Sequence, residues 1–368
     1  MITTMFDARY WEAVPFHFWS VVFFAFGAIV GSFLNVCIHR LPLGQSIVSP
    51  PSHCPHCKYS IPWYLNIPLF TWLYLGGKCR NCRAPISIRY FLVELLTAIL
   101  FLACWLYAGH QSAGLALAYC LFLAGLIVAT FVDFEHFIIP DEITIGGAVA
   151  GIVCSALVPA LQGERMLPRA VQQSILGLIV GALLIYAILR MGKLLFGRQK
   201  IVFERETRVV FSETALYLPE GPVPYEEIFY RSSDAIVVQA RVVELADRCY
   251  KDVRIRLRPE SLEIGDEKFN PADVPHLETV SRKIVLPREA MGLGDVKFMA
   301  AIGAFLGWQA VLFSLMLSSV IGSLVGVTLI VMRKQAWSSR LPYGPYIAMG
   351  AALWIFGGRH FVRWWFGL

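Results

Sequence analysis

Two carboxylates in this 368-residue chain stand where chemistry can use them. Asp133 closes an apolar run in Phe131-Val132-Asp133-Phe134-Glu135-His136-Phe137-Ile138-Ile139-Pro140-Asp141, and Asp295 follows Gly292-Leu293-Gly294 just before another. Carboxylates brought together and sharing one proton are the minimal apparatus for activating water against an amide. Repulsion in partly dehydrated surroundings keeps one protonated, so one is base toward water and the other acid toward the carbonyl oxygen. No Gly-x-Ser-x-Gly or His-Glu-x-x-His pattern offers a rival nucleophile or catalytic metal. Gly292 and Gly294 omit side chains where a backbone or a substrate would have to come close. Lys297 puts a cation in a first helical turn, against the helix dipole. Taken singly, each acid has a plainer account: Asp141 after Pro140 and Asp295 before an apolar run suit helix N-caps, and Asp133, Glu135 and His136 suit the meeting of a span with water.

A second cluster has metal chemistry. Cys54-Pro55-His56-Cys57 and Cys79-Arg80-Asn81-Cys82 are two Cys-x-x-Cys pairs with 21 residues between them. Each puts two thiolates on one tight turn, and two such turns make the tetrahedral sulfur site that zinc prefers. A redox dithiol and unligated cysteines are the alternatives. The intervening loop, residues 61 to 73, is too short for a core of its own, so a metal staple has a physical role. His53 and His56 read as solvated neighbours.

The elements that position these groups are apolar. At 57% hydrophobic and 16% charged residues, the chain exceeds what a soluble core of its length hides, which excludes a soluble globular protein and predicts a polytopic membrane protein. Spanning runs lie near residues 17 to 37, 90 to 108, 113 to 132, 143 to 161, 172 to 191 and 309 to 332. Shorter runs at 296 to 307 and 344 to 358 complete an expected all-α fold of about eight transmembrane helices. Asp7, Arg9 and Glu12 before the first run, and no small-x-small cleavage site after it, predict a retained span. Arg40, Lys58, Lys78, Arg80, Arg83 and Arg89 in one loop, and Arg333, Lys334 and Arg340 in another, outweigh Arg165 and Arg169 on the opposite side. That bias puts the cysteine loop, Asp133 and Asp295 on the cytosolic side, with Arg359 and Arg363 against the trend.

Composition changes at about residue 193. Residues 193 to 289 are rich in mixed charge and are expected to form a small, β-rich cytosolic insertion of fewer than 100 residues. Strands are expected around residues 236 to 243 and 253 to 258, with a turn at Pro219-Glu220-Gly221-Pro222. Arg254, Arg256 and Arg258 share a strand face, but neighbouring acids cancel their field, so a solvated edge strand is expected and no nucleic acid partner. The expected organisation is a first span at 1–37, a cytosolic zinc loop at 38–89, and spans two to five with the first aspartate at 90–192. The insertion at 193–289 and spans six to eight with Gly-x-Gly-Asp at 290–368 complete it.

Several motifs in a fixed order resemble the type IV prepilin peptidases, also called prepilin leader peptidase and N-methyltransferase. They are Gly31-Ser32-Phe33-Leu34-Asn35-Val36 with Arg40-Leu41-Pro42, the Cys quartet, Asn66-Ile67-Pro68, and Ile86-Ser87-Ile88-Arg89-Tyr90 with Glu94-Leu95. Asp133 through Asp141, Arg288 through Lys297, and Pro342-Tyr343-Gly344-Pro345 follow. The resemblance implies an aspartyl protease of the Gly-x-Gly-Asp type in the bacterial inner membrane. It implies cleavage of the basic leader of prepilins or secretion pseudopilins after a glycine, on the cytosolic face, and methylation of the new amine from S-adenosylmethionine. On it, Asp133 and Asp295 are the catalytic pair, Cys54, Cys57, Cys79 and Cys82 bind metal, and Gly292, Gly294, Asp141 and Lys297 support. Asn35, Arg40 and Glu94 are the methyl-transfer candidates, and the zinc loop is the seat of the donor. The insertion has no counterpart in the usual short loop and is expected to contact prepilin or pilus or secretion assembly proteins. The competing readings are a transporter or channel with boundary aspartates and a metal-sensing loop, a peptidase lacking methylation, and an inactive assembly scaffold.

Overall fold

The computed structural model describes residues 15–196, 198–219, 221–229, 234–245, 248–287, 292–332 and 341–366. Asp7, Arg9, Glu12, Arg288 through Met291, Arg333, Lys334 and Arg340 lie outside the described residues. Two compact units divide the chain, one of residues 1–186 with 293–368 and one of Ala187–Gly292.

The helices are α1 (Phe16–Arg40), α2 (Phe70–Tyr74), α3 (Ile88–Ala108), α4 (Ala113–His136), α5 (Asp141–Leu157), α6 (Leu167–Phe196), α7 (Tyr225–Ile228), α8 (Leu293–Leu306), α9 (Trp308–Val331), α10 (Gly344–Leu353) and α11 (Arg359–Phe366). The eight-span expectation fails. Among the described residues five helical segments are long and apolar enough to cross a membrane: Phe16–Leu43, Ile88–Ala108, Ala113–His136, Leu167–Leu194 and Trp308–Val331. The run at 143 to 161 breaks after Leu157, ahead of Pro159, which cannot continue a helix. Helix α8 has 14 residues, about 21 Å at 1.5 Å per residue, and α10 has 10 before a π-helical turn at Trp354–Gly358. By its length α8 does not reach across a hydrocarbon layer of about 30 Å, whereas α10 continues through the π turn directly into α11, which carries Arg359 and Arg363.

In the first unit α4 is the most enclosed of the five long apolar helices and touches α1, α3, α5 and α10. Helix α8 is buried from Phe298 to Leu306 and packs chiefly on α5. On its α6 side two backbones meet: a Cβ built on Gly303 would lie 2.0 Å from the Gly177 carbonyl oxygen. Small residues of this kind let membrane helices approach to backbone contact. The C-terminal carbonyls of α8, which lack intrahelical donors, take side-chain protons instead. The Ala304 carbonyl accepts from Ser174 at 2.7 Å and Gln162 at 2.9 Å, and the Phe305 carbonyl from Gln162 at 3.2 Å.

The second unit overturns both the all-α class and the small insertion. It is one eight-stranded antiparallel sheet in the order β3-β2-β1-β8-β4-β5-β6-β7. Its strands are β1 (Arg198–Phe211), β2 (Ala215–Leu218), β3 (Gly221–Pro224), β4 (Ile236–Glu244), β5 (Cys249–Arg258), β6 (Ser261–Ile264), β7 (Glu267–Phe269) and β8 (Leu277–Pro287). Ile236, Val238, Ile255, Leu257 and Ile284 fill a core of its own. The edge strand expected for Arg254, Arg256 and Arg258 is corrected as well: β5 is interior, between β4 and β6, and Arg256 faces Glu263 at 3.9 Å. The alternating Arg-x-Arg run reflects the polar face of a half-buried strand.

Candidate active site

Asp133 stands on the last turn of α4, where the helix stops because Phe137 turns left-handed (φ 55°) and returns its N–H to the Asp133 carbonyl at 3.0 Å. Ile138 and Ile139 belong to no helix or strand, and after Pro140 α5 starts at Asp141. The Asp133 side chain is buried, 6% exposed, and its Oδ2 accepts the Gly344 backbone N–H at 2.9 Å. Gly344 is the first residue of α10, so this amide is one of the donors a helix start leaves without an internal partner. A Cβ at Gly344 would lie 2.7 Å from Asp133 Oδ2, so this close approach requires glycine.

Asp295 sits in the first turn of α8. Gly344, the partner of Asp133, and Gly294, the neighbour of Asp295, both approach Ile139. Its Cδ1 would be 3.2 Å from a Cβ on Gly344, beside Asp133, and its own Cβ 3.7 Å from one on Gly294, beside Asp295. A methyl at Gly294 thus finds ordinary contact, and the fold itself does not demand glycine there. The ends of α5 and α8 are joined by Lys297 Nζ on Asp141 Oδ1 at 2.6 Å. Asp141 is therefore not the side-chain cap its position suggests; Pro140 is the N-cap residue and makes no side-chain hydrogen bond. Both aspartates stand at helix ends, away from the mid-span places where a transport path puts its ionisable groups.

The four cysteine sulfurs all lie within 4.8 Å of one another, with Cys54 to Cys82 at 3.8 Å and Cys57 to Cys79 at 4.0 Å. A tetrahedron with metal–sulfur bonds of about 2.3 Å has edges of about 3.8 Å, so the quartet fits such an ion. Hydrogen bonds from the Tyr59 backbone and the Asn81 side chain hold the Cys57 thiol down at about 6, and backbone bonds from Cys82 and Asn81 lower Cys79. Against the hydrogen bond from the Ala84 backbone, burial and the three neighbouring thiols push Cys82 up to about 11.

The methyl-transfer candidates lie on α1 and α3, which pack face to face. Asn35 Nδ2 donates to the Tyr90 carbonyl at 3.0 Å, while its buried Oδ1 has no partner among the described residues. Arg40 gives its guanidinium to the carbonyls of Ser46 (2.9 Å) and Pro50 (2.7 Å), which pins the loop after α1. Glu94 accepts the Leu69 N–H at 2.7 Å, and Leu69 is held at a φ of 64° that a branched side chain rarely adopts. Among the described residues no hydrogen bond or ion pair joins these three to Asp133. Where α3 and α4 touch, Arg89 at the start of α3 pairs with Glu135, two residues past Asp133.

Sequence reasoning missed Gly344 as the partner of Asp133, and Ile139 as the residue that Gly344 and Gly294 both approach. The Pro342-Tyr343-Gly344-Pro345 motif was the available signal for the first.

Comparison with known proteins bears on these same segments. Residues 25–108, which hold the Cys quartet with Asn35, Arg40 and Glu94, match the bacterial peptidase A24 N-terminal domain. Residues 120–200 and 278–327, which hold Asp133, Asp141, Asp295 and Lys297, match the type IV leader peptidase family, and the break falls across most of the β unit. The prepilin leader peptidase/N-methyltransferase of Aeromonas hydrophila is 29% identical over 378 residues, covering 96% of this chain and 95% of that protein. That of Myxococcus xanthus is 49% identical over 134 residues, 36% of this chain and 39% of that protein. The type 4 prepilin-like proteins leader peptide-processing enzyme of Escherichia coli is 38% identical over 180 residues, 44% of this chain and 64% of that protein. No solved structure matches the chain. With the cysteine half and the aspartate half each matched in order along one chain, this protein belongs to the type IV prepilin peptidase family.

Proposed function

We propose that this membrane enzyme cleaves the leader of type IV prepilins or secretion pseudopilins after glycine and then methylates the new amino terminus. Asp133 and Asp295 carry the hydrolysis. One takes a proton from water as the water oxygen attacks the scissile carbonyl carbon, and the other gives its proton to the carbonyl oxygen. Collapse of the tetrahedral intermediate returns that proton and passes the first to the leaving nitrogen, so both carboxyls end as they began. The observation that carries this reading is the buried Asp133 carboxylate fixed by Gly344 N–H, with Gly294-Asp295 packed on the same Ile139. The Lys and Arg asymmetry of the loops supports an inner-membrane enzyme with its site on the cytosolic face.

Zinc in the cysteine quartet would staple the loop between α1 and α3, supplying structure and no open coordination position. The methyl donor, S-adenosylmethionine, is assigned to the same region. A cleft of about 290 Å³ lies there, lined in part by Ser32, Arg40, Asn66 and Pro68, next in chain to the Leu69 held by Glu94. The β unit is assigned to contact with prepilin or an assembly protein. Incubating purified enzyme with a prepilin peptide and S-adenosylmethionine tests both activities by mass. Loss of the leader plus one methyl on the product supports the reading, and an unchanged peptide refutes it.

A further inference from the structure

The residue just before the Gly344 amide has an anchor of its own. Tyr343, the N-cap residue of α10, reaches α9, where its Oη lies 2.9 Å from Ser318 Oγ and 3.1 Å from Ser319 Oγ. Both serines give their own protons to the Leu315 carbonyl, at 2.9 and 2.8 Å. With both serine protons engaged by that carbonyl, the single tyrosine proton can go to either serine oxygen. Ser318 is fully buried, so its half of the anchor is shielded from competing water, while Ser319 lies at the exposed edge. The Tyr343 carbonyl meanwhile accepts from Tyr346 N at 3.1 Å and Ile347 N at 3.2 Å, so the residue is fixed at its backbone as well as its ring.

A carboxylate oxygen that accepts a backbone N–H along this direction is a poor seat for a proton, and no described residue donates to the other oxygen, Oδ1. We propose that Tyr343, anchored on Ser318 and Ser319, is a positioning residue: it sets the Gly344 N–H on Asp133 Oδ2 and so confines the transferable proton to Oδ1. The inference rests on the aspartate reading above. It goes further by naming the working oxygen and the side chains that select it. A carboxylate free to rotate would offer either oxygen to the water and spend part of its time misaligned.

The test uses the full-length enzyme in detergent, with a prepilin peptide for cleavage and an already cleaved peptide for methyl transfer. Tyr343→Phe keeps the ring and removes the hydroxyl. It is expected to lower kcat for cleavage by up to about 10-fold, the upper range for one neutral hydrogen bond, with KM and methyl transfer unchanged. Ser318→Ala with Ser319→Ala removes the acceptors and should give the same loss, and adding it to Tyr343→Phe should cost nothing more, since all three lesions break one interaction. Gly344→Ala should cost about 100-fold or more, because the new methyl displaces the carboxylate. Wild-type kcat in Tyr343→Phe, or losses that multiply between the tyrosine and serine lesions, would overturn the proposal. Should Tyr343→Phe also lose methyl transfer, the serine pair decides by the same criterion. Asp133→Asn runs alongside: full turnover there removes the aspartate reading itself, whereas a dead Asp133→Asn beside a fully active Tyr343→Phe removes only this inference.

Discussion

Gly303→Ala is expected to leave a folded protein that cuts slowly. The methyl would stand 2.0 Å from the Gly177 carbonyl oxygen and 2.4 Å from its carbon. Carbon against a carbonyl oxygen settles at about 3.3 Å or more, so α8 and α6 have to part by roughly 1 Å. Overpacking of this sort typically costs about 1–3 kcal/mol, less than a stable domain contains. The displaced helix carries Asp295, however, and a reacting group misplaced by about 1 Å loses on the order of 100-fold in rate. Gly146→Ala is the control: nothing lies within 4 Å of a Cβ there, and alanine is the better helix former by about 0.8–1 kcal/mol. Turnover of a prepilin peptide by both variants, with thermal unfolding in detergent, reads the two effects separately. Wild-type kcat in Gly303→Ala would refute the argument that α8 is placed by backbone contact.

The remaining expectations concern the ends of the site and the two appended parts. Lys297→Met and Asp141→Asn should each change stability by no more than about 1 kcal/mol, since the pair is substantially exposed, yet lower cleavage about 10-fold. Reversing the pair in one chain should restore part of the loss, and no change in cleavage would remove the pair from the mechanism. Metal analysis of purified protein should find about one zinc per chain, falling in Cys54→Ser; folded wild-type protein without metal would contradict the staple. Arg198 pairs with Pro287 in register, so the β unit enters and leaves on neighbouring strand ends and a short linker can replace it. That excision should lower pilin cleavage while methyl transfer to a cleaved peptide persists, and unchanged cleavage would leave the unit without the assigned contact.

Hydropathy led to the long helices because an apolar run of about 20 residues has few other solutions. It miscounted the spans because it cannot tell a crossing helix from a short one enclosed by neighbours, as α8 is from Phe298 to Leu306. Gly147, Gly151, Gly177, Gly181 and Gly303, spaced at four residues or facing one another across α5, α6 and α8, are the sequence sign of that enclosure. Alternation marked β4 and β5, but strand order in the sheet depends on pairings such as β4 with β8 that local pattern does not encode. In the site, the residue types and their spacing named the aspartates and the cysteines. The Gly344 donor, 211 positions from Asp133, needed the fold.

The most direct measurement is cleavage of a prepilin peptide by Asp133→Asn and by Asp295→Asn, each scored beside methyl transfer to a pre-cleaved peptide. The account predicts that both variants insert, bind metal and methylate, yet leave the leader uncut. Leader removal at the wild-type rate by either one would contradict it.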